Sequence, residues 1–163
     1  MPRIFAVCLV CLLTLPCTLA DTNTAIGIQR PVHTYSIVAR DPETGQLGVA
    51  VQSHWFSVGA LVPWARAGVG AVATQSFVDV RYGVEGLALM QDGKSAQDVL
   101  KQLIREDPNP EVRQVGMIDA SGNIAQHTGV QCIQHAGHLA GENFAVQANL
   151  MMNEGVPEAM AKA

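Results

Sequence analysis

Apolar and polar positions follow two different periods along this chain, and the period changes block by block. Residues 34–40 (TYSIVAR) and 47–52 (LGVAVQ) are short runs rich in β-favouring side chains. They flank Asp41-Pro42-Glu43-Thr44-Gly45, a turn in which proline presets φ and glycine is free to take positive φ. Both runs are apolar at almost every position. That predicts strands buried on both faces, in a sheet held between other layers. Two further apolar runs, residues 58–62 and 69–74, sit either side of Pro63-Trp64-Ala65-Arg66-Ala67-Gly68. Four strands are therefore expected before any helix.

The period then lengthens. Val84, Leu87, Ala88 and Gln91 recur at helical spacing in residues 82–91, with Gly93 as a stop. Ser95 opens the clearest helix: with Asp98 it makes an acidic variant of the capping box, and Ala96, Val99, Leu100, Leu103 and Ile104 form one apolar stripe. Asp107-Pro108-Asn109-Pro110 ends it. Residues 112–119 and 124–128 read as a hairpin around Ala120-Ser121-Gly122-Asn123. Residues 129–142 have no regular period. Residues 144–152 predict a last strand, and 156–163 a helix with Pro157 in its first turn. Strands, two helices, strands and a helix make an α+β protein of packed layers rather than a series of βαβ units. Two stacked sheets flanked by helices would bury the doubly apolar strands.

The front of the chain differs in kind. Arg3, an apolar run over residues 4–15, and small residues Thr18 and Ala20 form the pattern of a secretory signal peptide cleaved before Asp21. The alternative is an uncleaved anchor, for which the run is short. Residues 21–33 read as a linker or propeptide, and residues 34–163 as one domain. Export would place the protein in the periplasm or outside the cell, with no membrane attachment once the signal is removed. Removing Arg3 with its acid-free segment takes the formal charge from −4 to −5, and no basic run is present, so nucleic acid is not expected as a partner. Of four cysteines only Cys132 lies beyond residue 20, so no disulfide framework can hold the fold and a packed core must.

Thr34 is the first candidate for chemistry. If the chain is cut before it, its hydroxyl and its new α-amine form a nucleophile and base within one residue. The alternative is an ordinary strand threonine. Ser36 shares its strand face. Thr74, Gln75, Gln147 and Asn149 are polar residues in apolar strands and candidate oxyanion or substrate contacts; hydrogen bonds to neighbouring strands are the competing role. Arg66, in a loop beside Trp64, could hold a substrate carboxylate, and Arg40 is the other nearby cation. Cys132, His135 and His138 have the spacing C-x-x-H-x-x-H, with His127 upstream, but this matches no strong metal signature. No metal or cofactor is expected.

Several segments together resemble one family: SIVARDPETGQLGVAV, VGALVPWARAGVGAVATQS, RYGVEGL, QVGMIDASGNIAQHTG, AGHLAGENFAVQAN and PEAMA. From Thr34 onward the chain is similar to the DUF1028 proteins, an uncharacterised family placed in the N-terminal nucleophile (Ntn) hydrolase superfamily. The resemblance implies a four-layer αββα sandwich and hydrolysis of a small-molecule or peptide amide by Thr34. Members usually continue past the PEAMA helix, which implies a sandwich incomplete at its C-terminus, and uncovered sheet edges are compatible with a homo-oligomer. Many relatives begin at the equivalent of Thr34, so here a second cut after His33 is required. A catalytically inactive αββα binding or assembly module is the alternative.

Overall fold

The computed structural model describes residues 33–163. The expected signal peptide and residues 21–32 lie outside the described residues. The strands are β1 (Thr34–Arg40), β2 (Leu47–Ser53), β3 (Pro63–Arg66), β4 (Gly70–Ser76), β5 (Arg113–Asp119), β6 (Ile124–Thr128), β7 (Gly137–Gly141) and β8 (Phe144–Asn149). The helices are α1 (Arg81–Gln91), α2 (Ala96–Glu106) and α3 (Val156–Lys162). This is a mixed α+β architecture of two antiparallel four-stranded sheets, ordered β2-β1-β8-β7 and β3-β4-β5-β6. The sheets stack face to face, β1 over β4 and β8 over β5. No helix among the described residues is long and apolar enough to cross a membrane.

Period-2 alternation assigns each strand a face. In β4, Ala71 and Ala73 point between the sheets and meet Val38, Ile118 and Ala145. Val72 points the other way, joining Val115 and Met117 under α1 and α2, where Tyr82, Leu87, Val99 and Leu103 complete a second core. Each fully buried side chain of this size contributes roughly 1.5–3 kcal/mol. The capping at Ser95 is present: its hydroxyl accepts from the Asp98 backbone N–H at 3.2 Å and lies 2.8 Å from the Asp98 carboxylate. Asp119 extends the cap from outside the helix, accepting the Ala96 N–H at 3.1 Å. α1 crosses the sheet at Gly83, where an added Cβ would collide with the Trp64 indole.

Four expectations need correction. Residues 58–62 are no strand: Val58–Ala60 forms one 3₁₀ turn after Ser57 at φ 53°. The third strand instead starts at Pro63, on a sheet edge where the missing N–H costs nothing. The last strand stops at Asn149 rather than Met152, because Leu150 turns left-handed at φ 61°. Residues 137–141 do form a strand, β7; it is paired to β8, and its glycines and histidine hid it. Finally, β1 and β2 are not buried on both faces. β1 alternates buried and half-buried positions, and β2 half-buried and exposed ones. The reason is placement: α3 packs on β7 and β8, and no helix among the described residues covers β1 and β2.

Candidate active site

Polar side chains collect at one end of the layer between the sheets. The register makes this unavoidable. β1 pairs with β8 so that Thr34 is opposite Asn149 and Ser36 opposite Gln147. β4 pairs with β5 so that Gln75 is opposite Gln114. All of these are buried, five of them at 1% exposure or less and Thr34 at 8%. Such burial requires partners, and Gln114 is the hub. Its Oε1 accepts from Gln75 Nε2 at 2.8 Å and from Asn149 Nδ2 at 2.9 Å. Its Nε2 donates across the sheets to the Ala148 carbonyl at 2.9 Å and also lies 3.0–3.1 Å from the Thr128 hydroxyl and the Gly137 carbonyl. Gln147 Nε2 donates to Ser36 Oγ and to the Ala73 carbonyl. Among the described residues, the buried polar atoms without a partner include Gln75 Oε1 and Gln147 Oε1 of this network.

A cavity of about 340 Å³ opens beside this network. Thr34, Ser53, Gln75, Ser76 and Asn149 supply its polar lining, and Val58, Val62, Phe77, Val78 and Ile133 are among its apolar walls. Thr34 Oγ1 and Ser53 Oγ share a hydrogen bond of 2.7 Å, and Ser53 Oγ also accepts the Trp55 N–H at 3.0 Å. Two non-glycine residues of the lining are left-handed: Ser76 at φ 68°, ending β4, and Leu150 at φ 61°, just past β8. That conformation costs roughly 1–2 kcal/mol for a residue with a Cβ. Such strain persists only where the surroundings hold it, and it concentrates at binding and catalytic sites.

Behind the Phe77 wall lies an ion-pair network. Arg113 Nη1 donates to the Phe77 carbonyl at 2.7 Å, and its Nε binds Asp107 at 2.8 Å. Arg81 pairs with Asp79 at 2.7 Å. Burial pushes the Asp107 carboxyl up, but hydrogen bonds from Arg113, the Asn109 N–H and Tyr82 outweigh it and hold the pKa below the ordinary value. Asp79 likewise ends below its ordinary value, with Arg81 opposing the effect of burial. Burial and the Asp107 hydrogen bond push the Tyr82 hydroxyl well above its usual range.

The sequence candidates separate. Thr34, Gln75 and Asn149 meet at the cavity, and Gln147 lies deeper in the same network. Thr74 does not join them: it faces the helices and donates to the Asp79 carbonyl at 3.2 Å. Arg66 is also elsewhere. It pairs with Gly70 at the far end of β4 and its guanidinium binds Gln91. Arg40 binds the Ala120 carbonyl at that same distant end. The histidines and the cysteine disperse, His127 to the Pro110 carbonyl, His138 to Thr128 and Cys132 to the Arg113 carbonyl. No group of three metal-ligating side chains is assembled among the described residues. Two participants escaped sequence reading. Ser53 could have been found by counting the hairpin register back from the 41–45 turn. Gln114 signals itself only as an amide in an otherwise apolar strand.

The molecule is thus defined as a two-sheet α+β protein with a strained, amide-floored cavity between its sheets. Residues 34–163 match the model of a family of unknown function, DUF1028, and the chain belongs to that family. No curated protein matches it. The crystal structure of the DUF1028 protein SPO2555 from Silicibacter pomeroyi is similar, with a TM-score of 0.77 and 29% identity. The likeness covers 80% of this chain and 61% of that one, so this chain spans less than two thirds of that relative's length.

Proposed function

We propose that the protein is an exported amide hydrolase of the Ntn type, with Thr34 as nucleophile and the two sheets as the inner layers of an αββα sandwich. The observation that carries this is the position of Thr34: it starts β1, its hydroxyl lines the cavity, and the family match begins at that residue. Hydrolysis of the His33–Thr34 bond would free the α-amine. That amine takes the Thr34 hydroxyl proton as Oγ1 attacks the substrate carbonyl carbon. Asn149 Nδ2 gives one hydrogen to Gln114 and keeps a second, which can donate to the oxyanion. Collapse breaks the C–N bond, the leaving amine takes the proton, and water then cleaves the Thr34 ester to release the acid.

N-terminal sequencing and intact mass of the exported protein test the first step. The expected product starts at Thr34, and active protein starting at Asp21 refutes the mechanism. In the processed protein, Thr34→Ala is expected to lose at least about a thousandfold in amide turnover, and Asn149→Ala about a hundredfold or more in kcat. The second reading, an inactive binding module, predicts that the His33–Thr34 bond stays intact and turnover is absent.

A further inference from the structure

We infer that the Thr34 cavity takes an uncharged, apolar acyl group carried on an amide nitrogen. The inference deepens the hydrolase reading by naming its substrate class. Its first support is what the lining lacks. Among the cavity-lining residues there is no Asp, Glu, Lys or Arg. The nearest ion pairs, around Asp79, Asp107 and Arg113, lie behind Phe77 and satisfy one another. With the Thr34 α-amine neutral, as its role as base requires, a carboxylate or ammonium on the acyl group would lose its water and find no counter-charge. Arg66, the sequence candidate for holding a substrate carboxylate, is at the other end of the sheet.

The second support is how the polar atoms are distributed. They sit at one end, where Thr34, Gln75, Ser76 and Asn149 meet, while Val58, Val62, Val78 and Ile133 line the rest. An N-acyl amide has the same division, a polar amide head and an apolar tail. Thr34 Oγ1 and Ser53 Oγ, in the same lining, are hydroxyl oxygens that can accept from the N–H of such an amide. At the mouth the rim is also apolar: Trp55 is 68% exposed, Phe77 55% and Ile133 47%. A volume of about 340 Å³ lies at the lower end of small-molecule sites, suited to a short aliphatic or single-ring acyl group rather than a long peptide.

The test is titration calorimetry of Thr34→Ala with a series of primary amides from acetamide to octanamide, with the amide of succinic acid monoanion and 6-aminohexanamide as charged controls. Affinity is expected to rise about three- to fourfold per added methylene until the cavity is full, and the charged amides are expected to bind at least tenfold more weakly than neutral ones of equal length. Ile133→Lys, at a half-exposed position that tolerates the change, is expected to weaken the neutral series and admit the anionic amide. Should Thr34→Ala not fold, the same ligands are compared as substrates or inhibitors of the wild-type protein. Equal affinity for charged and neutral amides, or no dependence on chain length, overturns the inference. Graded binding without turnover would sink the hydrolase reading and leave this inference standing; efficient turnover of anionic acyl amides would do the reverse.

Discussion

Gln114 carries more of this structure than any residue that the sequence singles out. From β5 this one amide reaches four other strands of the two sheets, β4, β6, β7 and β8, and accepts from both amides that flank the cavity. Gln114→Leu keeps the volume but leaves two N–H donors and at least one carbonyl unpaired in a dry layer. Each such group costs roughly 1–3 kcal/mol. A loss of about 3 kcal/mol is expected in urea unfolding, with a flattened midpoint rather than a lost fold, and a change below 1 kcal/mol would show that the network is not a stabilising hub. Asp119 is its counterpart at the opposite end of the sheet: one buried carboxylate accepts the N–H groups of Ala96, Ser121 and Asn123 together with the Asn123 side-chain amide. At this scale the sequence was a fair guide to which polar residues are unusual and a poor guide to their duties. Thr74 and Gln75 are adjacent and equally polar, yet strand alternation sends one to the helices and the other to the cavity.

The elements meet through close approaches at glycine. α1 lies on β3 because Gly83 leaves room for the Trp64 ring, whose indole N–H donates to the Leu61 carbonyl at 2.9 Å. Gly83→Ala gains about 1 kcal/mol of helix propensity, but the methyl must displace an indole held by that hydrogen bond, and overpacking costs roughly 1–3 kcal/mol. Net destabilisation is expected in thermal unfolding. Gly48→Ala, in β2 with open space around it and no positive φ, is the matched comparison and should change stability by less than about 0.5 kcal/mol. Helices were the most legible elements, because α2 declares its cap, its stripe and its end within a dozen residues. β7 was illegible for the opposite reason: its residues carry almost no strand preference, and only pairing with β8 makes them a strand.

For the whole molecule, the ion pairs around Asp79 and Asp107 set the acid limit. Asp79 and Asp107 have folded-state pKa values below their ordinary 3.8, so both bind protons more weakly folded than unfolded. Their contribution is complete above the unfolded pKa and is lost as pH falls through the folded values. Stability should therefore be flat from neutral pH down to about pH 5 and fall steeply below pH 4. Asp107→Asn should be less stable at neutral pH and should flatten that fall, as read from urea midpoints at stepped pH. The uncovered faces of β1 and β2 also belong to this scale. No helix among the described residues packs on them, and β2 alternates half-buried with exposed positions.

The sequence by itself determined the α+β class, both long helices, the first hairpin, and the candidate nucleophile at its head. These depend on local spacing, turn chemistry and capping, which act within a few residues. Only the tertiary structure decided which amides share a space, because that depends on how two sheets stack and on a register set between residues more than a hundred positions apart, as for Ser36 and Gln147. It also removed Arg66 from the site and left the cavity without a charge. Thr34 could be singled out as a candidate nucleophile from its place at the head of the first strand and from the family resemblance; that it lines a cavity with mostly apolar walls required the fold.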